Sequence, residues 1–416
     1  MDKIKIQGGY SLRGVVEVSG AKNAALPIMI AALLSDKKCI LKRVPKLQDI
    51  ETTQQVLQGL GVVCEFHNES LVLDASKLNS FEAPYDLVRK MRASVLVLGP
   101  LLTRLGKAKV SLPGGCAIGA RPVDFHLKAL KQMGASIDIE SGYIVASAKN
   151  LVGTKIVLDF PSVGATENIM MAAVFAKGET IIENCAKEPE IIDLALFLKS
   201  MGVPVTGEGT ETIQIQGIKN TKSLEHAIVG DRIEAGTFLA AALATGGDVE
   251  VRGIQSSLME SVLVKLEDAG ALIYRNQNSI RIQSQGKPKA IQIKTMPFPG
   301  FPTDMQAQFM AMLCVADGTS MITETIFENR FMHVPELMRL GADLTIQGNT
   351  AVIRGKSKLI GAPLMATDLR ASASLVIGGL CAEGETTVNR IYHLDRGYEQ
   401  MEKKLSLLGA KIERIK

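Results

Sequence analysis

The segment with the most evident chemistry is a glycine-rich loop that carries one thiol. It runs from Leu112 to Asp124 with the sequence LPGGCAIGARPVD, and its thiol is Cys116. The cation of Arg121 lies nearby in sequence, and a cationic neighbour favours the reactive thiolate. No Gly-Lys-Ser/Thr follows the loop and it holds no GxGxxG motif, so any phosphate must be bound in another way. A cysteine that the loop merely tolerates is the alternative interpretation.

A second group of candidates lies at the starts of six predicted buried helices. These starts lie near Lys22-Asn23, Arg92, Ser162-Val163-Gly164, Arg232, Asp304 and Arg370. Four of the six carry a cation, although a helix amino terminus already bears about half a positive charge and a cation there costs up to ~1 kcal/mol. A bound anion would remove this cost, because backbone amides, helix dipole and side chain would bind it together. The alternative is that sequence misplaces the helix boundaries and the cations lie in loops.

A repeat positions these residues. A glycine closes an amphipathic helix at intervals of 68 to 73 residues, and a strand-like alternation follows it; the glycines are Gly61, Gly134, Gly202, Gly270, Gly341 and Gly409. Upstream of each lies a helix that is apolar all round, such as Ile233 to Thr245, and is therefore predicted to be buried. Five of these helices stop at Gly106, Gly178, Gly246, Gly318 and Gly384, and the first uses Ser35-Asp36 instead. The unit is thus buried helix, strand, amphipathic helix, strand, repeated six times.

The repeat predicts an α/β protein of two domains with three units each. We place the first domain at residues 22–229, carrying the Cys116 loop, and the second at residues 1–21 with 230–416. The first strand is expected to return and pack on the later half. A single-layer solenoid is the alternative, but helices buried on every side need cover from several directions.

Composition excludes several classes of protein. Trp is absent, aromatic residues are 4% and net charge is +4, so nucleic acid is not an expected partner. No apolar run reaches the roughly 18 residues that span a bilayer, and the amino terminus lacks a secretory signal. The six cysteines are scattered without close pairs. We therefore predict a cytoplasmic enzyme with no membrane segment, metal or cofactor.

Several segments together resemble one enzyme family end to end. They are Ser19 to Ala24, Leu112 to Asp124, Ser162 to Asn168, Phe327 to Arg330, Asp368 to Ala371 and Leu394 to Gly397. The chain is similar to UDP-N-acetylglucosamine enolpyruvyl transferases (1-carboxyvinyltransferases), which are built as two inside-out α/β barrels of three units each. The resemblance implies enolpyruvyl transfer from phosphoenolpyruvate to the 3′-hydroxyl of UDP-N-acetylglucosamine, with release of phosphate, in the first committed step of peptidoglycan synthesis. It also implies an active site in the cleft between the two domains.

The resemblance also assigns roles to individual residues. Lys22, Arg121 and Arg396 would hold phosphoenolpyruvate, and Cys116 would protonate its methylene carbon or form a covalent adduct. Asp304 would take the proton of the sugar hydroxyl. The nucleotide-sugar site would contain Asn23, Arg92, Arg121, Pro122, Val123, Asp124, Phe125, Ser162, Val163, Gly164, Asp304 and Ile326, with Arg330 and Arg370 as second-rank members.

A purely structural role is an alternative interpretation for some of these residues. Thr303-Asp304 is also a good helix N-cap. Arg370 and the segment Glu328 to Arg330 are equally suited to a structural ion network, and His126 is expected to be packed rather than catalytic. Some relatives carry a basic residue where this chain has Phe160, so a diphosphate contact there is in doubt. The rival functions are shikimate-phosphate enolpyruvyl transfer, a catalytically silent nucleotide-sugar sensor and a protein-binding scaffold.

Overall fold

The computed structural model describes residues 2–67, 70–83, 85–88, 92–112, 123–327 and 329–416, with only the backbone of Leu87 and Arg92. The chain divides into two compact units. One contains residues 2–19 and 230–416, and the other contains the described residues between 20 and 229. Each unit has a hydrophobic core of its own.

The α-helices range from one turn to more than three turns. In chain order they are α1 (Lys22–Ala31), α2 (Gln48–Gly59), α3 (Tyr85–Val88), α4 (Leu98–Leu105), α5 (Asp124–Gln132), α6 (Val163–Ala173), α7 (Pro189–Ser200), α8 (Arg232–Ala244), α9 (Glu260–Asp268), α10 (Gln306–Leu313), α11 (Val334–Arg339), α12 (Leu369–Cys381) and α13 (Met401–Leu407). Short 3₁₀ helices occupy Ala32–Leu34, Arg92–Val97, Ser256–Leu258, Thr303–Met305 and Ile391–Arg396. No helix in the described ranges is long and apolar enough to cross a membrane.

The strands are short, none longer than six residues. In chain order they are β1 (Lys3–Gln7), β2 (Arg13–Glu17), β3 (Cys39–Lys42), β4 (Val63–His67), β5 (Ser70–Asp74), β6 (Glu82–Ala83), β7 (Lys107–Ser111), β8 (Ser136–Glu140), β9 (Tyr143–Ser147), β10 (Lys155–Val157), β11 (Glu179–Glu183), β12 (Val205–Thr206), β13 (Thr212–Gln216), β14 (Leu224–Ala227), β15 (Asp248–Arg252), β16 (Ala271–Arg275), β17 (Ser279–Ser284), β18 (Gln292–Lys294), β19 (Thr319–Thr323), β20 (Asp343–Gln347), β21 (Thr350–Arg354), β22 (Leu359–Ile360), β23 (Pro363–Met365), β24 (Ala382–Glu383), β25 (Glu385–Asn389) and β26 (Lys411–Ile415).

Eight of the eleven glycines that define the repeat follow the end of a helix directly or after one residue, as the sequence predicts. All six glycines after the amphipathic helices have positive φ, from 86° at Gly341 to 101° at Gly202. The five after the buried helices do too, from 70° at Gly246 to 101° at Gly318. Only glycine adopts this left-handed conformation without a steric cost, so it ends these eight helices and turns the chain into the next strand. Gly178 and Gly318 instead lie five residues beyond the ends of α6 and α10, and Gly384 lies three residues beyond α12 with β24 between them, so the prediction that the buried helices stop at these three glycines is wrong. The sixfold repeat is confirmed.

Each repeat contains more strands than the sequence indicated. In the described residues six four-stranded sheets form, three per unit, each with antiparallel pairs and one parallel edge strand. The sheet β10-β11-β13-β12 shows the pattern: β12 and β13 form a hairpin, β11 follows the buried helix, and β10 pairs parallel to it. The sequence interpretation missed β10 and its counterparts because two to five residues are too few for a clear alternation.

The amino-terminal strand completes the last repeat. β1 lies between β25 and β26 and pairs with both in antiparallel fashion, so the first residues of the chain form part of the sixth sheet. The prediction that the first strand returns to the later half is therefore confirmed. Ile4 and Ile6 of β1 are fully buried in the core of that unit.

Three buried helices form the centre of each unit. In the unit with residues 230–416, α10 packs against both α8 and α12. Every residue of α8 except Ala244 is buried, including the charged Arg232 and Glu234 at its start. In the other unit α6 packs against α4, and both contact the 3₁₀ helix Arg92–Val97, which also contacts α1. Charged groups at the starts of these helices are thus embedded in the protein and need partners.

The closure of the sixth sheet by β1 predicts a large effect from one core residue. Ile6→Ala should lower the free energy of unfolding of its unit by about 2 to 5 kcal/mol, because it leaves a cavity in the core. Urea titration followed by circular dichroism measures this. The control is Ile360→Ala, since Ile360 is 67% exposed and its loss should change the value by less than ~0.5 kcal/mol. Equal effects of the two substitutions would contradict the closing role of β1.

Candidate functional site

The residues that the sequence singles out divide into three groups in the structure. Cys116, Arg121 and Pro122 lie outside the described residues, as does the side chain of Arg92, whose backbone begins a 3₁₀ helix. A second group lies in the unit with residues 20–229: Lys22, Asn23, Val123, Asp124, Phe125, Ser162, Val163 and Gly164. A third lies in the other unit: Asp304, Ile326, Arg330, Arg370 and Arg396.

Asp304 forms the centre of an ion cluster with two arginines. Its Oδ1 accepts a hydrogen bond from Arg330 Nη2 at 2.7 Å, and its Oδ2 accepts from Arg370 Nη2 at 3.0 Å and Nε at 3.3 Å. The arginine side chains are 7% and 3% exposed, whereas that of Asp304 is 25% exposed. The carboxylate is thus the member of the cluster that solvent or a ligand reaches most easily.

The two arginines also determine the protonation state of Asp304. Burial alone would raise the pKa of this carboxyl, but Arg370 and Arg330 outweigh burial and hold the pKa well below its ordinary value. Asp304 is therefore a carboxylate at any physiological pH. In this pairing it is a weak base, because a proton on Asp304 would break two charge-assisted contacts.

Asp304 is not the helix cap that its sequence context also allowed. It lies inside the 3₁₀ helix Thr303–Met305, and no side chain caps either this helix or α10 after it. That alternative is wrong, because both carboxylate oxygens are occupied by guanidinium groups. The ion-network interpretation of Arg330 and Arg370 is correct for this state of the protein.

Arg370 combines a fixed position with an unused donor. It is the second residue of α12, which is capped by Asp368 through the amides of Arg370 and Ala371. Its guanidinium lies 5.5 Å from the ring centre of Tyr398. Burial lowers the pKa of Arg370, but the negative charge of Asp304 outweighs burial and raises it, so the guanidinium stays charged. Its Nη1 has no hydrogen-bond partner among the described residues. A buried donor without a partner is costly and is a suitable contact for an anion.

Arg396 ends the 3₁₀ helix Ile391–Arg396 and is half-buried. Its neighbour Asp395 is engaged by Arg414, whose Nη2 lies 2.6 Å from Asp395 Oδ1. The next residues include Tyr398, which is fully buried with its hydroxyl 2.9 Å from that of Thr237 and 3.0 Å from Gln308 Nε2. Arg396 is therefore carried by a short helix that is anchored on both of its flanks.

In the other unit, Lys22 forms a buried ion pair. Its Nζ lies 2.9 Å from Asp49 Oδ2, and the two side chains are 9% and 4% exposed. Lys22 is the first residue of α1 and Asp49 lies in the first turn of α2. Asn23, the next residue, is half-buried. The carboxylate of Asp49 compensates the cation that the sequence analysis found misplaced at this helix start.

The start of α6 is a polar site next to α5. Ser162 caps α6 by accepting from the amide of Ala165 at 3.4 Å, and Ser162, Val163 and Gly164 are all half-buried. A methyl group on Gly164 would meet the ring of His126 at 3.4 Å. At the start of α5, Val123 and Phe125 are half-buried and Asp124 is exposed.

A buried hydrogen-bond network fixes this region. Asn168 of α6 accepts from the amide of Gly99 at 2.7 Å and donates to the carbonyl of Val95 at 3.3 Å. Its Nδ2 also lies 2.9 Å from Nδ1 of His126. His126 is buried, as the prediction that it is packed requires, and its having no catalytic role stays a prediction. Asn168 thereby links α6, α5 and the 3₁₀ helix that begins at Arg92.

The cations at the predicted helix starts have carboxylates of the protein close to them. The boundaries are right, because α1, α8 and α12 begin at Lys22, Arg232 and Leu369. Yet carboxylates of the protein already occupy these starts: Asp49 binds Lys22, Asp304 binds Arg370, and Asp231 caps α8 directly before Arg232. Lys22 and Arg370 are therefore paired with carboxylates of the protein, and the prediction that anions bind at the helix starts stays a prediction. The sequence analysis did not identify Asp49 or Glu324, a buried carboxylate between Thr303 and Ile326.

Comparison with known proteins gives consistent results. The family model described as EPSP synthase (3-phosphoshikimate 1-carboxyvinyltransferase) matches residues 6–405. A curated UDP-N-acetylglucosamine 1-carboxyvinyltransferase of Thermodesulfovibrio yellowstonii is 58% identical, and one of Geobacter metallireducens is 56% identical, each over 100% of both chains. The enolpyruvyl transferase NikO from Streptomyces tendae has a similar structure, with a TM-score of 0.89 at 24% identity over 100% of this chain and 99% of that one. The structure of EPSP synthase from Acinetobacter baumannii is also similar, with a TM-score of 0.78 at 18% identity over 100% of both chains.

A buried histidine beside the Asp304 cluster predicts acid sensitivity. Burial is the main reason that the pKa of His333 is lowered to about 4. The positive charge of Arg330 also lowers this pKa, whereas the negative charge of Asp368 partly opposes the shift. Its Nε2 has no partner among the described residues. The unfolded chain binds this proton near pH 6.5 and the folded chain only near pH 4, so stability is complete above pH 6.5 and is lost as pH falls toward 4.

Between pH 7 and pH 5 the free energy of unfolding should fall in the parent protein and in His333→Gln alike. The fall should be about 2 kcal/mol smaller in His333→Gln, because this variant lacks the histidine. Urea titrations at the two pH values measure the difference. His67→Gln is the control, because the His67 side chain is 64% exposed and this variant should follow the parent protein. If all three proteins lose the same amount, His333 is not the acid-sensitive group.

Proposed function

The chain belongs to the EPSP synthase family, and from its full-length likeness to UDP-N-acetylglucosamine 1-carboxyvinyltransferases we infer that it transfers enolpyruvyl from phosphoenolpyruvate to UDP-N-acetylglucosamine. This transferase reaction releases phosphate and is the first committed step of peptidoglycan synthesis. The identity over complete chains is the observation that carries the inference, since the likeness to solved structures establishes the fold alone.

The chemistry needs two groups at the double bond of phosphoenolpyruvate. A proton acceptor is needed for the hydroxyl that attacks C2, and a proton donor is needed for the methylene carbon. The 3′-hydroxyl oxygen adds to C2 of phosphoenolpyruvate and loses its proton, while the methylene carbon gains one, which gives a tetrahedral adduct. The C2–O bond to phosphate then breaks, a methyl proton leaves, and the double bond reforms. General acid and base groups typically contribute 10²- to 10⁴-fold each to such steps.

For the donor substrate we assign Lys22, Arg121 and Arg396 to the phosphate and carboxylate. Lysine and arginine suit these anions as point charge and as bidentate fork respectively. The burial of Lys22 supports its assignment, because a contact to a desolvated charge is stronger than one in water. Asp49 would keep the ammonium charged and oriented before the substrate arrives.

For the acceptor we assign the start of α6, the start of α5 and the Asp304 cluster. The half-buried Ser162, Val163 and Gly164 present backbone groups at a helix amino terminus, which suits an anionic diphosphate. Phe160, which replaces a basic residue of some relatives, is 42% exposed and leaves the diphosphate to these groups. Asn23, Arg92, Arg121, Pro122, Val123, Asp124, Phe125, Ile326, Arg330 and Arg370 complete the proposed set.

Asp304 is the proposed proton acceptor, and its contacts make that role conditional. While Arg330 and Arg370 both bind it, its pKa is too low for it to take a proton from a sugar hydroxyl. An anionic substrate that engages one arginine would weaken that pairing and raise the pKa of Asp304. Arg370 Nη1, which has no partner in the described residues, is suited to this contact. The base is thus activated only when substrate is bound.

Location and further partners belong to the same proposal. The cysteines among the described residues, Cys39, Cys64, Cys185, Cys314 and Cys381, are free thiols, which supports a reducing, cytoplasmic location. The described residues contain no group of three or more His, Cys, Asp or Glu arranged to hold a metal ion. We propose no partner beyond the two substrates.

The acceptor distinguishes this function from that of the shikimate-phosphate enzyme, whose name the family model carries. Phosphate release from phosphoenolpyruvate is measured with UDP-N-acetylglucosamine or shikimate 3-phosphate as acceptor. We expect turnover with the nucleotide sugar alone. Turnover with shikimate 3-phosphate alone would replace the proposed function, and turnover with neither would favour a nucleotide-sugar sensor.

Cys116 provides the sharpest test of the proposed mechanism, because a proton donor and a covalent nucleophile respond differently to substitution. Cys116→Asp keeps an acidic proton and should retain turnover while escaping the epoxide fosfomycin, which alkylates thiols far more readily than carboxylates. In Cys116→Ser the hydroxyl is a much weaker acid than the thiol, so the turnover rate should fall roughly 10²- to 10⁴-fold. Steady-state phosphate release with and without fosfomycin, on the parent protein and both variants, gives the answer. An inactive Asp variant beside a fully active Ser variant would rule out the proton-donor role.

A further inference from the structure

Glu324 occupies a turn that differs from the same turn in other repeats. It directly follows β19, the strand after a buried helix. The residues that directly follow the corresponding strands β3, β11, β15 and β25 all have positive φ: Arg43 (57°), Asn184 (53°), Gly253 (80°) and Arg390 (59°). Glu324 is not among the positive-φ residues, and it is 3% exposed. This turn therefore buries a carboxylate where four of the other five repeats have a left-handed residue; in the fifth, Leu112 follows β7 and is not a positive-φ residue either.

The Glu324 carboxylate accepts four hydrogen bonds. Its Oε1 accepts from the hydroxyl of Thr295 at 2.8 Å and from the amides of Ile326 at 2.8 Å and Phe327 at 3.2 Å. Its Oε2 accepts from the hydroxyl of Thr303 at 2.8 Å. In the described part of the chain no lysine or arginine forms an ion pair with it. Four donors of this kind satisfy a buried carboxylate in place of water.

Thr303 connects Glu324 to the Asp304 cluster. Its hydroxyl donates to Glu324 and accepts from Arg330 Nη1 at 2.9 Å, while Arg330 Nη2 binds Asp304. The connected groups are two carboxylates, Glu324 and Asp304, and two guanidiniums, Arg330 and Arg370, so their formal charges cancel. Glu324 supplies the second negative charge that lets two buried arginines share one Asp304.

We propose that Glu324 is a positioning residue for the nucleotide-sugar acceptor, a role that rests on the proposed function. Through Thr303 it fixes Arg330 and hence the carboxylate of Asp304. Through two backbone amides it fixes the segment that carries Ile326, the other acceptor residue assigned in this region. One buried carboxylate thus sets the spacing between the group that faces the sugar hydroxyl and the segment that faces the rest of the acceptor.

The test compares Glu324→Ala and Glu324→Gln with the parent protein in steady-state phosphate release. Glu324→Ala removes all four acceptors and should raise KM for UDP-N-acetylglucosamine about tenfold or more, equivalent to ~1.4 kcal/mol. Glu324→Gln keeps the shape and one acceptor oxygen but loses the charge, and should raise this KM by about threefold. KM for phosphoenolpyruvate should stay within about twofold, because the two of its assigned residues that the structure describes, Lys22 and Arg396, are not among the four donors to the Glu324 carboxylate.

The control is Asn349→Ala, because Asn349 Nδ2 donates to the backbone carbonyl of Glu324 at 3.1 Å and leaves the four carboxylate contacts intact. It should lower Tm without changing either KM by more than about twofold. A purely structural Glu324 would lower Tm and the active fraction in the same way, with both KM values unchanged.

The outcomes separate the two levels of the proposal. Absence of turnover by the parent protein with UDP-N-acetylglucosamine would remove the proposed function itself. An active parent protein with KM for the nucleotide sugar unchanged in Glu324→Gln and Glu324→Ala would overturn the positioning role alone. If Glu324→Ala does not fold, Glu324→Gln decides by the same measurement. An equal rise of that KM in Asn349→Ala would also overturn the role, because general loosening of the turn would then explain it.

Discussion

Buried charge at the ends of buried helices is the constraint on which this structure depends. Each unit places apolar helices at its centre, and their starts carry ionised side chains that cannot remain unpaired away from water. Lys22 is compensated by Asp49, and Arg330 and Arg370 by Asp304, with Glu324 joined to them through Thr303. Loss of Asp49 or Asp304 removes the carboxylate that pairs with a buried cation, so the groups proposed to bind substrate also contribute to the stability of the core.

In the proposed mechanism, the same pairing controls the reactivity of Asp304. A carboxylate between two arginines is fixed in place and is correspondingly reluctant to take a proton. The cluster reconciles these properties if substrate anions compete for the arginines, because the base then gains proton affinity only in the complex. Preorganised charge of this kind does not have to reorganise during the reaction. The repulsion between Arg330 and Arg370 is already offset in the folded protein by the negative charges of Glu324 and Asp304.

Much of this fold could be predicted from glycine spacing and hydrophobic pattern, and the site only in part. A positive-φ glycine is visible in sequence because few residues replace it, so Gly134 or Gly270 marks a helix end without tertiary information. Short parallel strands such as β10 have no such mark. Lys22 and Arg370 stood out as cations in the wrong local position. Asp49 did not, and the pairing of Arg370 with Asp304 was not predicted although both were candidates. The partners lie 27 and 66 residues apart, and pairing over such distances depends on the fold.

Comparison of the repeats shows that the start of α10 lacks the side-chain cap that three other buried helices have. At the starts of α6, α8 and α12, Ser162, Asp231 and Asp368 accept from amides of their own helix. Asp304 stands at the start of α10 and caps nothing, although loss of such a cap typically costs about 1 kcal/mol. Its oxygens bind two arginines from other elements instead. The residue type that caps the helix in two sister repeats is paired with arginines in this one, and the role proposed for Asp304 agrees with the expectation that local rules are broken where function requires it.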